Sequence, residues 1–134
     1  MKEWRKAVDL MIDSDPVTET VIGCAIAVHR ELGPGLLESA YEECLVYELK
    51  EKGLEIKRQY ELSIKYKNVD LKCGYKIDIL VPGKLVIELK TVEKLLPIHT
   101  SQVLTYLRIS GIQTGLLINF YTNLLKNGIK RIVL

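Results

Sequence analysis

Apolar residues follow two rhythms along the chain, helical in the first third and alternating after it. From Val17 to Leu32 they crowd most sides of a helix, the pattern of a largely buried segment. Asp15 stands before it as an N-cap, Pro16 takes the first helical position, and Gly33-Pro34-Gly35 stops it. A second helix is predicted from about Leu36 to Lys52, with apolar residues at 37, 40, 41, 44, 45 and 49 and Gly53 closing it.

The period then changes to that of strands. Tyr60, Leu62, Ile64 and Tyr66 alternate with polar residues, and Leu71 to Val81 alternates again, with Cys73, Tyr75, Ile77 and Ile79 on one face and Asp78 on the other. Past a Pro82-Gly83 turn, Lys84 to Thr91 places Leu85, Ile87 and Leu89 opposite Val86, Glu88 and Lys90. A third helix is expected from about His99 to Ser110, ended by Gly111. Gly115 to Phe120 reads as a buried strand, and Ile129 to Leu134 as a last one after an Asn127-Gly128 turn. The order α-α-β-β-β-α-β-β predicts an α/β fold with a mixed central sheet flanked by helices. Its third and fourth strands can run parallel, because a helix crosses between them.

Composition narrows the class. At 134 residues with 48% hydrophobic and 27% charged, the chain is read as a single domain over residues 1–134, with 1–14 as an N-terminal extension; disorder is excluded. The longest apolar stretch, Val21 to Val28, is far short of the roughly 18 residues of a membrane span. Met1-Lys2-Glu3-Trp4-Arg5-Lys6 reaches Asp9, Asp13 and Asp15 before any long apolar run, so a cytoplasmic protein without membrane association is expected. Cys24, Cys44 and Cys73 never pair at metal-binding spacing and read as small buried hydrophobes. A net charge of +2 names no partner by itself. Any nucleic-acid contact would have to be local, at Lys57/Arg58, Lys65/Lys67, Lys72/Lys76 or Lys126/Lys130/Arg131, which otherwise are solvated faces.

The chemistry concentrates around Asp78 and Glu88-Leu89-Lys90, on two consecutive strands. Two carboxylates about 4 Å apart repel by roughly 4 kcal/mol at an effective dielectric near 20, so a fold that joins them calls for a cation. Oxygen donors favour Mg²⁺ or Mn²⁺, and a neighbouring lysine can neutralise charge in a transition state. Charge alternation on a strand is also what an ordinary solvated face looks like, as in Glu61-x-Ser63-x-Lys65. Register separates the two readings. A two-residue Pro82-Gly83 turn pairs Asp78 with Ile87 and sends the carboxylates to opposite faces. Only an odd loop such as Pro82-Gly83-Lys84, or a bulge, pairs Asp78 with Glu88 on one face.

Glu38 lies at the margin of the second helix's apolar face and can reach inward, whereas Glu42 is expected to point further out and Glu43 away. On the third helix His99, Gln102 and Tyr106 form a polar row that borders the core face. His29, beside the apolar face of the first helix, fits a packing role at least as well as a ligand role.

Gly35-Leu36-Leu37-Glu38-Ser39-Ala40-Tyr41 resembles the signature of the GxxExxY protein family. Asp78, Glu88-x-Lys90 and Gln102-x-x-x-Tyr106 resemble the PD-(D/E)XK nuclease pattern in its RecB-like form, with Ile77 in place of the proline before the aspartate. The resemblance runs from Val28-His29-Arg30 through Gly115–Phe120 to Ile129-Lys130-Arg131 and implies a PD-(D/E)XK restriction-endonuclease-like core. It further implies a metal site of Asp78, Glu88, the Leu89 backbone carbonyl and Glu38, holding Mg²⁺ or Mn²⁺. Lys90 would be the catalytic lysine, and Gln102 and Tyr106, with His99, Tyr41 and His29 around them, would support the site or contact nucleic acid.

The function expected on these grounds is metal-dependent hydrolysis of nucleic-acid phosphodiester bonds, with DNA as the polymer. A homodimer would enlarge the limited surface that so small a core offers a duplex. The alternative is a catalytically inactive nuclease-fold module that binds or regulates. More distant is a small-molecule domain built on the His99/Gln102/Tyr106 row.

Overall fold

A computed structural model describes residues 15–134, so the readings of Met1–Lys6, Asp9, Asp13 and the extension 1–14 lie outside the described residues. The first helix, α1 (Pro16–Leu32), begins as its sequence dictates: the Asp15 side chain accepts the Thr18 amide at 2.8 Å and Pro16 opens the first turn. Its successor α2 (Glu38–Glu51) starts two residues later than its apolar pattern suggests, because Gly33 to Leu37 form a loop that Leu37 ends as the N-cap. Leu37 caps without a side-chain hydrogen bond and is 78% exposed.

Both long alternating stretches divide. The first becomes β1 (Lys57–Glu61) and β2 (Ile64–Tyr66), the second β3 (Val69–Leu71) and β4 (Lys76–Val81). β2 and β3 pair only with each other, as a separate hairpin turned by Lys67 and Asn68, both at positive φ. After β4 come β5 (Leu85–Lys90), α3 (Pro97–Ser110), β6 (Thr114–Asn119), a short 3₁₀ turn (Leu125–Asn127) and β7 (Ile129–Val133). The main sheet runs β1-β4-β5-β6-β7. Only β5 and β6 are parallel, and α3 makes the crossover between them, as the strand order requires.

α1 and α2 cover one face of the sheet, packing on Ile79, Val81, Leu85, Ile87, Leu89, Leu116, Ile118 and Phe120. The other face packs on α3 through Leu80, Val86, Leu117 and Ile132. β5 thus alternates as predicted, Leu85, Ile87 and Leu89 to one layer and Val86 to the other. β4 does not: Ile77 belongs with α3 while Ile79 belongs with α1 and α2, and Cys73 and Tyr75 are exposed. The expected common face for Cys73, Tyr75, Ile77 and Ile79 is therefore broken, and the break falls at Asp78. The cysteines also divide: Cys24 is buried, Cys44 half-buried and Cys73 exposed, since Cys73 sits between the small hairpin and the sheet rather than in a core strand. Among the described residues no helix is long and apolar enough to cross a membrane.

Candidate active site

The turn between β4 and β5 decides which face the carboxylates share. The ladder runs Val81↔Leu85, Leu80↔Val86 and Ile79↔Ile87, so the loop is Pro82-Gly83-Lys84, three residues long, with the Lys84 amide on the Val81 carbonyl at 2.9 Å. Gly83 supplies the positive φ of 72° that such a loop needs. Continued by one step, this register sets Asp78 opposite Glu88.

At that step the strands are joined through side chains. The Asp78 amide donates to Glu88 Oε1 at 3.0 Å, and the Leu89 amide donates to Asp78 Oδ2 at 2.9 Å. Each carboxylate thus spends one oxygen on main chain. Glu88 is 3% exposed. Burial pushes its carboxyl up to about 8 and the nearby Asp78 charge pushes the same way, against the Asp78 amide and Lys90, which favour the anion. Burial also raises Asp78, opposed by its hydrogen bonds from Leu89 and Gln59. Lys90 is half-buried, near enough that its charge favours ionisation of Glu38, Asp78 and Glu88.

β1 supplies Gln59, which the sequence pattern did not reveal, and Arg58, expected as a candidate nucleic-acid contact but paired here with Glu42 and Glu43. Its ladder with β4 passes from Arg58↔Ile79 to Tyr60↔Ile77, and between them Gln59 adopts a φ of 47°, unusual for a non-glycine residue. From there Gln59 Nε2 donates to Glu42 Oε1 at 2.7 Å and to Asp78 Oδ1 at 3.3 Å. Glu42 Oε2 accepts from Arg58 through Nε at 3.2 Å and NH2 at 2.9 Å, and the same NH2 reaches Glu43 at 3.0 Å. Glu42, expected to point outward, is 8% exposed. The helical wheel misplaced it because β1 covers that side of α2 and supplies its partners. The available signal was its spacing of four from Glu38, which stacks the two on one stripe.

Glu38 itself stands exposed at the first turn of α2, yet within the field of the pair. Desolvation raises its carboxyl, Asp78 adds to the rise, Lys90 opposes it and Glu42 adds a little more. Tyr41 does not touch the carboxylates. It is fully buried, stacks on Phe120 with ring centroids 4.4 Å apart, donates to the Gly33 carbonyl and accepts from the Leu36 amide at 3.2 Å. It thereby fixes the loop that delivers Glu38.

On α3 the predicted row is only partly coherent. Gln102 Nε2 donates to the Tyr106 hydroxyl at 2.9 Å. Burial raises the Tyr106 hydroxyl, and the Glu88 and Asp78 charges add to the rise, which sets this pair beside the carboxylates. His99 is engaged elsewhere, its Nδ1 accepting the Leu96 amide at 3.0 Å as a cap on the helix start. His29 is buried, with Nε2 2.7 Å from the Thr122 carbonyl, and serves packing rather than the carboxylate cluster.

Asp78, Glu88 and the main-chain carbonyls around them form an all-oxygen donor set, the chemistry that Mg²⁺ or Mn²⁺ requires. Glu88 is buried and pushed up to about 8, and no residue among the described ones forms an ion pair directly with Asp78 or Glu88, so the pair fits a cation that would relieve its repulsion. No preassembled group of three or more His, Cys, Asp or Glu is found among the described residues. Glu38 does not close on the pair to complete one.

A family model described as PD-(D/E)XK nuclease superfamily matches residues 15–132. No match was found among curated proteins or among solved structures.

Proposed function

The chain belongs to the PD-(D/E)XK nuclease superfamily, and on that footing we propose that it is a nuclease that hydrolyses phosphodiester bonds of DNA with Mg²⁺ or Mn²⁺ held by Asp78 and Glu88. Within the superfamily we read Gly35–Tyr41 as a GxxExxY-like signature and the Gln102/Tyr106 pair as RecB-like. The observation that carries the reading is the junction of Asp78 and Glu88 at the point where β4 and β5 part, with Lys90 two residues further along β5.

Asp78, Glu88, the Leu89 carbonyl and Glu38 are the groups that would hold the cation. Bound there, it would lower the pKa of an attacking water and draw charge from the phosphate. The chain's own residues do the rest. Lys90 offsets negative charge that builds on the phosphate oxygens in the transition state. Gln59 holds one oxygen of Asp78, and the Leu89 amide holds the other, so the carboxylate cannot rotate away. Glu42 and Arg58 fix Gln59 from behind. Gln102 and Tyr106 present a hydroxyl and an amide to the phosphate backbone.

Incubation with Mn²⁺ of single-stranded DNA, duplex DNA and RNA, with Asp78→Asn and Lys90→Ala as controls, tests the proposal. Cleavage by the wild type that both variants lose supports it. If all three polymers stay intact, the binding or regulatory module takes its place.

A further inference from the structure

Between the site and the small hairpin lies a groove of about 380 Å³. Its walls are Ile64 and Tyr75 from the hairpin side and Ile98, Gln102 and Tyr106 from α3. Tyr106 ties its inner end to the carboxylates, since the Glu88 and Asp78 charges act on its hydroxyl and the Tyr75 hydroxyl acts on it too. Outward, the groove offers aromatic and aliphatic faces to solvent, with Tyr75 43% and Ile98 67% exposed. These two side chains are not remnants of a core. Among the described residues the hairpin has no strand partner beyond itself, and its base is closed by the Leu62 amide, which donates to the Tyr75 carbonyl at 2.9 Å.

The hairpin and the residue that leaves it also carry an excess of positive charge. From Ser63 to Lys72 it carries Lys65, Lys67 and Lys72 against one acid, Asp70, in a chain whose net charge is only +2. All three lysines are exposed. Lys67 Nζ lies 5.5 Å from the centre of the Tyr66 ring, so cation and ring are interleaved there.

We propose that the β2–β3 hairpin and α3 form a binding groove for single-stranded nucleic acid, in which an unpaired base stacks on Tyr75 between Ile64 and Ile98 while the hairpin lysines hold the flanking phosphates. The inference rests on the reading of Asp78 and Glu88 as the cleavage site and names the form of the strand presented to it. The physical reason is access. In a duplex the base faces are stacked on one another and unavailable to a tyrosine ring, whereas a splayed strand exposes them. Apolar walls would gain nothing from a phosphate backbone alone. The lysines supply affinity for any nucleic acid, and the tyrosine supplies the discrimination.

The test is binding without cleavage. A labelled oligothymidylate of about a dozen nucleotides, a blunt duplex of equal length and an abasic strand of equal length are titrated with the full chain, with Ca²⁺ in place of Mg²⁺, and followed by fluorescence anisotropy. The inference expects the oligothymidylate to bind at least about tenfold tighter than the duplex, and the abasic strand to lose that advantage. Tyr75→Ala weakens oligothymidylate binding by about 5- to 100-fold, the range for loss of one stacked base, whereas Tyr75→Phe keeps it. Lys65→Ala with Lys72→Ala lowers affinity for both forms and flattens the salt dependence. Equal affinity for duplex and single strand, or an unchanged Tyr75→Ala, overturns the inference. A protein that binds single strands yet never cuts them with Mn²⁺ keeps the groove and sinks the nuclease reading. One that cuts but shows no strand preference does the reverse.

Discussion

The Asp78 amide donates to Glu88 Oε1 at 3.0 Å while the Leu89 amide donates to Asp78 Oδ2 at 2.9 Å, so each acid of the site is anchored to the main chain of the facing strand. The geometry holds both carboxylates at the parting of β4 and β5 before any cation arrives. Burial and the Asp78 charge hold a proton on Glu88 up to about 8, and a cation would take that proton's place.

Metal binding should therefore depend on Asp78. Calorimetric titration of Mn²⁺ into the wild type is expected to give a saturable signal that Asp78→Asn loses, with the thermal midpoint of the variant no longer raised by the metal. Equal binding by both proteins removes the site.

Stability should depend on pH in a direction that Glu88 sets. Its folded carboxyl titrates at about 8 against 4.5 for the ordinary group, so between those values the native state holds a proton that the unfolded state releases. Without divalent cations the protein loses stability as pH rises from about 4.5 to 8. At about 1.4 kcal/mol per pH unit, the Glu88 share is a few kcal/mol. Asp78 and Glu38, also raised, act in the same sense. Thermal melts across this range should flatten in Glu88→Gln, and an unaltered slope in that variant removes Glu88 as the cause.

Lys90→Ala should lower the cleavage rate by about 10²- to 10⁴-fold while Mn²⁺ binding stays intact, the pattern of a group that acts on the transition state. An unchanged rate takes Lys90 out of the mechanism.

Gln59 is a positioning residue, because it reaches Asp78 and Glu42 rather than the scissile bond. Gln59→Leu is expected to cost about 10- to 100-fold in metal affinity or rate. Its distinguishing readout is the Mn²⁺ concentration needed for half-maximal cleavage, which should rise. A purely structural residue would lower the melting temperature and leave that concentration alone.

Tyr41→Phe keeps the ring on Phe120 but releases the Gly33 carbonyl and the Leu36 amide. A stability loss of about 1 to 3 kcal/mol is expected, together with reduced cleavage from a looser Glu38. Activity equal to the wild type would detach the loop from function.

Much of the architecture was legible from periodicity. The three helices, their glycine and proline boundaries, and the alternation of β5 around Glu88 all follow from where apolar residues recur. The conditional statement about the β4–β5 loop was equally legible: parity alone says that an even loop separates Asp78 from Glu88 and an odd loop unites them. Which loop forms was not. Pro82-Gly83 reads as a two-residue turn, and the three-residue form places Gly83 in the left-handed conformation with Lys84 inside the loop.

The site's supporting residues show why the remainder stayed hidden. Glu42 lies off the apolar stripe of its own helix, and only the arrival of β1 gives it Arg58 and Gln59 as partners. Gln59 looks like any polar residue of an exposed strand until its φ of 47° turns it toward Asp78. His99 and His29 went the other way: both sat on suggestive stripes, and both are satisfied by nearby backbone.

The sequence by itself determined the helices, most strand positions and the residue types able to bind a divalent cation, because these depend on short-range spacing and on side-chain chemistry. Tertiary structure decided which strands pair in which register, that β4 reverses its alternation at Asp78, and that a strand 15 to 17 residues beyond Glu42 and Glu43 supplies their partners. Those outcomes rest on contacts between distant segments, where one residue of register reverses every side chain and no local pattern carries the sign.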